Sequence, residues 1–483
     1  MKIYNCTLIL ISLSFFIMGC SQVEGINPAD IYIPEQQSNE KYKDNEENPF
    51  MNVADQETST FAIDADGGSY TNSRRFLNAG VTPPKEAVRI EEYINYFTFN
   101  YQDPVDGENV SLQSELTTCP WNADHYLLRL GMKGISIPLS QLPYSNFVFL
   151  IDVSGSMSSS DKLDLLKKGF KTLTDNLRPQ DRISIVTYAG QAGILLESTL
   201  GSEKQKIKAA IDKLGAGGST AGADGINTAY ELAEKHFVIG GNNRVILGTD
   251  GDFNVGIKST EELIKLIEEK RESGIYLTVL GVGTGNLNEA MMEQIADKGN
   301  GNYEYIDNTS QIDKVFTHEI TKFHTIAKDG KVQIKFNKNK VLSYRLIGYE
   351  NRSLNKEDFT DDSKDAGEIG AGQSITALYE LSITDVQNEE SLAQFEFRYK
   401  KPGEDISRLL TMDISLKPID ITRSSENMRF AASIAGFGLL MKQSQYKGTA
   451  NKQMVLELGN TSTSFDPHNY RKEFLQLVKN WKE

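Results

Sequence analysis

Residues 145–325 leave this chain the fewest choices. Phe147-Val-Phe-Leu-Ile151 is an unbroken apolar run, as a strand covered on both faces requires. The pattern after it alternates between two periods. It predicts helix 161–177, strand 182–188, a short strand near 193–197, helices 203–213 and 223–237, and strand 243–248. Helix 260–272, strand 275–282, helix 287–298, strand 302–306 and helix 309–324 complete the series. Strands separated by helices run parallel, because a parallel neighbour needs a long crossover. The expected fold class is therefore α/β: a Rossmann-like, mainly parallel sheet with helices on both faces.

The flanking segments have the period of strands. Val110–Leu116 and Tyr126–Met132 alternate, and after Ala327 the β pattern returns at 330–336, 341–348, 373–383, 392–400 and 408–416. Residues 351–370 are polar and read as a loop. Two strands cannot bury a face alone, so segments 105–143 and 327–418 are expected to form one β-sandwich with the 145–325 domain inserted in it. Helical patterns at 70–77 and 84–97 make 55–104 an N-terminal helical segment, and patterns at 422–442 and 465–482 make 419–483 a helical tail.

The N-terminus sets the expected compartment. Lys2 precedes the apolar run Leu8–Met18, which is too short to span a bilayer as a helix. The run ends in Ile17-Met-Gly-Cys20, which resembles a bacterial lipobox and implies removal of 1–19 and acylation of Cys20. The implied product is a cell-envelope protein anchored in a membrane by lipid. Residues 20–54 are rich in Glu, Asn, Gln, Lys and Pro and read as a flexible tether. Of the 3 cysteines, Cys6 leaves with the signal and Cys119 is left alone, as a buried small hydrophobe. The net charge of -15 repels phosphate backbones and argues against nucleic acid as a partner.

Three polar clusters fall at strand ends. Strand 147–151 runs into Asp152-Val-Ser154-Gly-Ser156, and Thr249-Asp250-Gly-Asp252 closes strand 243–248. The third, Gly215-Ala-Gly-Gly-Ser-Thr220-Ala-Gly-Ala-Asp-Gly225, lies between two helices. Open parallel sheets bind ligands outside the carboxyl ends of their strands, where such residues converge. Asp152, Asp250, Ser154, Ser156 and Thr220 are hard oxygen donors, suited to Mg²⁺, Mn²⁺ or Ca²⁺ and lacking the soft ligands that favour zinc.

This set, in this order, resembles the metal-ion-dependent adhesion site of von Willebrand factor type A (VWA) domains. The resemblance implies that Ser154, Ser156 and Thr220 are direct hydroxyl ligands and that Asp152 and Asp250 act partly through water. It further implies a protein-interaction module rather than an enzyme, in which a partner Asp or Glu completes the shell of Mg²⁺. The flanks resemble bacterial VWA lipoproteins of the YfbK type. The matching stretches are Phe61-Ala-Ile-Asp-Ala-Asp-Gly-Gly-Ser-Tyr70, Val88-Arg-Ile-Glu-Glu-Tyr-Ile-Asn-Tyr-Phe97, Cys119-Pro-Trp121, Arg345-Leu-Ile-Gly-Tyr-Glu350 and Asp365-Ala-Gly-Glu-Ile-Gly-Ala-Gly372. The sequence departs from the pattern at Gly248, where Ala is expected, and at Asp224, an added carboxylate.

Competing readings of the same residues are weaker. Asp250-Gly-Asp252-Phe-Asn254 with Glu261 has EF-hand spacing, but Val255 stands where that loop needs Gly and a strand precedes it. Gly281-Val-Gly-Thr-Gly285 lacks the full dinucleotide fingerprint. A metal-using hydrolase or phosphotransferase is the alternative function, and an envelope component with a vestigial site is a third. A serine nucleophile needs a base, yet His125, His236, His318, His324 and His468 all lie away from the three clusters in sequence. Asp64 and Asp66 read as turn formers rather than a second cation site. Replacing Cys20 by Ser is expected to leave an unacylated precursor that is lost from the membrane fraction, measured by lipid labelling and fractionation.

Overall fold

The computed structural model describes residues 39–189, 191–217, 223–251, 260–384 and 391–482. Its central sheet runs Tyr303–Ile306, Tyr276–Val282, Asn242–Thr249, Ser145–Asp152, Arg182–Ala189 and Gln191–Leu200, each hydrogen-bonded to the next. The first five strands are parallel. Gln191–Leu200 is antiparallel to its neighbour and longer than the short strand expected near 193–197. Its mixed polar and apolar residues suit an edge, so no apolar run announces them.

The alternation inside Phe147–Ile151 explains why the run is apolar throughout. Phe147, Phe149 and Ile151 pack with Phe170 and Ile207 on one face, while Val148 and Leu150 pack with Ile226, Leu263 and Ile295 on the other. The expected helix 309–324 is broken instead. Thr309–Asp313 opens into a wide turn over Lys314–His318 and a tight one over Ile320–Phe323. Lys314 and Lys322 are buried there and both donate to Glu319.

Strands from before and after this unit share a sheet. Its order is Met51–Asn52, Val341–Ile347, Ser374–Ile383, Tyr126–Gly134 and Val110–Thr118. Facing it, Thr325–Phe336 pairs with Thr58–Ala62, Gly367–Gly370 and Ser391–Lys400, and the last pairs with Arg408–Ser415. One apolar core joins the two sheets, from Leu128 and Tyr379 across to Phe61, Ile334 and Phe397. A second core joins the N-terminal helices Gly68–Asn78 and Ile90–Asn95 to Glu426–Met441 and Tyr470–Asn480, through Tyr70, Tyr93, Phe97, Phe430, Phe437 and Phe474. Cys119 is buried in this core, and burial pushes its thiol pKa up.

The tether expected over 20–54 needs correction from Asn39 onward. Asn39 and Lys41 donate backbone hydrogen bonds to Gly285 and Leu287 at 3.0 and 2.8 Å. Glu40 accepts from the Gly285 amide at 2.8 Å and pairs with Arg75 at 3.0 Å. Asn48 caps the Gly348 carbonyl at 2.7 Å, and Met51–Asn52 joins a sheet. Polar composition reads as a tether because it hides such specific pairing. Cys20 lies outside the described residues.

Buried ion pairs join the layers. Arg89, 2% exposed, makes a two-pronged contact with Glu289 at 2.9 Å for each bond and also donates to Glu92. Glu289 begins helix Glu289–Lys298 of the central domain, so the fork bolts that domain to the N-terminal helices. Arg352, from the sandwich, reaches the same helix at Asp297 and binds Asp64 at 2.9 Å. Breaking a buried pair strands the remaining charges in a poor solvent. Arg89→Leu is therefore expected to destabilise the protein by about 3–5 kcal/mol, read from urea unfolding.

Candidate functional site

The site is built where Ser145–Asp152 ends. Asp152 is fully buried, and its Oδ1 accepts the Ser154 amide at 2.8 Å, a turn that aims both serines at one point. The Ser154 and Ser156 hydroxyls are 2.9 Å apart. Asp250, at the end of the neighbouring strand, is fully buried and also bonds Ser156. Thr249 Oγ1 donates to Asp152 Oδ2 at 3.3 Å, tying the two strand ends together. The Gly217 amide donates to the Val153 carbonyl at 2.9 Å, which draws the start of the Gly-rich loop to the same edge. Four expected ligands, Asp152, Ser154, Ser156 and Asp250, are thus linked in one cradle of oxygen atoms. The fifth, Thr220, lies outside the described residues, as do Asp252 and Asn254.

Gly248 departs from the family pattern for a steric reason. A Cβ there would sit 2.8 Å from Cδ1 of Leu166, so the absent methyl makes room for the packed leucine.

The two carboxylates are shifted in opposite directions. Burial raises the Asp152 pKa to about 6, against the hydrogen bonds from Ser154 and with help from the charge of Asp250. Burial acts on Asp250 too, but hydrogen bonds with Lys162 and Asn286 and the Lys162 charge outweigh it and hold this group below the usual range. Lys162 Nζ lies 2.8 Å from Asp250 Oδ2 and 2.8 Å from Asn286 Oδ1. Sequence reasoning missed Lys162. Its one signal was position, a lysine a few residues past the serines and just ahead of an apolar helix.

The donor set suits a hard divalent cation: two carboxylates with hydroxyls between them. A second acidic group suits a different cation. Asp64, Glu92 and Glu293 bring carboxylate oxygens within 4.8 Å of one another. Each already has donors, from Arg352 and Asp66, from Arg89 and Ser69, and from Asn351, so guanidinium groups occupy the place a metal would take. Asp64 accepting the Asp66 amide at 2.9 Å is the turn geometry expected of this pair. Three of the histidines have other partners: His125 bonds Glu380 at 2.7 Å, and His318 stacks on His468 with centroids 3.7 Å apart.

A strand-end cradle of this composition on a sheet of this order defines a VWA domain. Residues 146–318 match the family model described as von Willebrand factor type A domain, and residues 36–129 match one described as von Willebrand factor. Residues 321–483 match "Uncharacterized protein YfbK, C-terminal". The Escherichia coli (strain K12) protein YfbK is 42% identical over 466 residues, covering 91% of this chain and 80% of that one. The chain belongs to the YfbK-type family of bacterial VWA proteins. Among solved structures, a von Willebrand factor type A protein from Catenulispora acidiphila is 15% identical, covering 79% of this chain and 91% of that one, with a TM-score of 0.44. The ArnB paralog VWA2 from Sulfolobus acidocaldarius is 15% identical, covering 78% and 98%, with a TM-score of 0.39.

The stretches that carried the family resemblance are structural joints. Trp121, His125 and Arg345 converge on Glu380, and Asp365 pairs with Arg271 of the central domain at 2.6 Å.

The raised pKa of Asp152 fixes a sign. The folded state holds this proton more tightly than the unfolded chain, so its contribution falls as pH rises from about 4 through 6 and is flat above. Asp152→Asn removes that loss. In EDTA, the stability of the variant relative to wild type is expected to grow by about 1–3 kcal/mol between pH 4 and 7, measured by urea unfolding.

Proposed function

We propose that this chain is a membrane-tethered, divalent-metal-dependent protein-interaction module of the bacterial cell envelope. A VWA domain points to an interaction module. The finer reading rests on one observation: Asp152, Ser154, Ser156 and Asp250 form a single cradle at the sheet edge, with Lys162 already paired to Asp250. The weakly charged ligand set favours Mg²⁺, or Mn²⁺ or Ca²⁺ in its place. Bound there, the cation supplies an open coordination position for an Asp or Glu of a protein partner. The chain's own groups do the rest. Asp152 orients Ser154 through its amide, the serines supply neutral oxygens, and the rigid strand ends keep the cradle formed in advance. Anchoring through Cys20 would keep the face near a membrane.

The test is partner capture by the full chain in detergent, with Mg²⁺ and with EDTA, for wild type, Asp152→Ala and Ser156→Ala. Capture is expected to need the metal and to fall at least tenfold in Asp152→Ala, with a smaller loss in Ser156→Ala. Capture that survives both EDTA and Asp152→Ala would remove this site as the binding surface.

A further inference from the structure

We propose that Lys162 is a positioning residue of the metal site: a resident cation that holds Asp250 and sets how strongly the site binds metal on its own. The inference rests on the reading of the cradle as a divalent-cation site and extends it to the charge of the partner.

The fold goes to some length to keep this ammonium in place. Lys162 is 7% exposed, although lysine is the charged side chain most readily left in water. Its stem lies on Gly283, which has φ +77°, and a Cβ there would sit 2.4 Å from both Cγ and Cε. Its Nζ is divided between Asp250 Oδ2 and Asn286 Oδ1, each at 2.8 Å. Asn286 belongs to a loop that is itself clamped. The Asn39 and Lys41 amides donate to the Gly285 and Leu287 carbonyls, and Glu40 accepts from the Gly285 amide. A glycine turn, an amide oxygen and a carboxylate thus surround one charge.

The consequence is electrostatic. Asp152 and Asp250 together bring two negative charges when ionised, and Lys162 cancels one of them. A divalent cation in the cradle would keep a net positive charge that only an external anion neutralises. Lys162 therefore weakens binding of the metal alone and makes binding of metal and of an acidic partner favour each other. At a few ångströms, even water-like screening leaves this repulsion large enough to change metal affinity about tenfold.

The experiment titrates Mn²⁺ into the full chain in detergent and follows free Mn²⁺ by electron paramagnetic resonance. Wild type is compared with Lys162→Met, Lys162→Gln, Lys162→Arg and Asp152→Ala, each checked for folding by thermal unfolding. Met and Gln variants are expected to bind Mn²⁺ at least about tenfold more tightly, with Arg within threefold of wild type because it keeps the charge. A lysine that serves only packing would not separate Arg from Gln in this way. Wild type binding Mn²⁺ while Met and Gln bind it equally or more weakly would overturn the role of Lys162 and leave the site intact. Mn²⁺ binding that is absent from wild type, or unchanged in Asp152→Ala, would overturn the site and this inference together. Should the buried substitutions prevent folding, wild type is titrated with Mn²⁺ in acetate and in chloride at equal ionic strength, and the net positive site is expected to bind Mn²⁺ at least about threefold more tightly with acetate. An equal affinity in the two salts overturns the proposal.

Discussion

The fork between Arg89 and Glu289 is the contact on which the architecture turns. Both partners are buried, and each of the two bonds is 2.9 Å. An ionic pair in that setting is stable only when its geometry is good and its remaining atoms are satisfied. Ser69 and Glu92 complete it on one side, and Arg352, bound to Asp64 and Asp297, approaches the same helix from the other. The central sheet is thereby fixed in orientation against two different cores rather than carried on flexible linkers. Apolar packing alone would hold the layers together, but directional bonds decide the angle at which they meet.

The cradle lies at the same edge of the central sheet, next to the loop that leads from Asn286 into Glu289. In the hub, burial raises the pKa of Glu92 to about 8 and lifts that of Glu289 above its ordinary value, against the pull of Arg89. In the cradle, burial raises Asp152 to about 6, while Lys162 holds Asp250 below the usual range. Raised carboxylates thus occur in both clusters, and what separates them is the company they keep: guanidinium groups in the hub, hydroxyls and one lysine in the cradle.

Much of this was legible from residues alone. The parallel sheet could be read because Phe147–Ile151 must please two cores at once, and the cradle because Asp152, Ser154, Ser156 and Asp250 follow strand ends. Other features were hidden by the same logic. Arg74, Arg89, Arg345 and Arg352 look like surface residues, yet each is buried or nearly so beside a carboxylate. Only Arg89 carried a faint signal, standing between Val88 and Ile90 in a stretch with few positions for water. The segment from Asn39 was misread because its anchors are hydrogen bonds, which composition does not register. Lys162 was missed because pairing across 88 positions in the chain leaves no local pattern.

Asn39 and Lys41 dock beside Gly285 and Leu287, at the rim that carries Asn286, one side chain away from Lys162 and Asp250. For a chain anchored through Cys20, the links from there to Asn39 cannot span more than about 65 Å when fully stretched. On the proposed anchoring, the cradle would work within that reach of a bilayer, and meeting a partner in the same membrane would be a two-dimensional search at high local concentration.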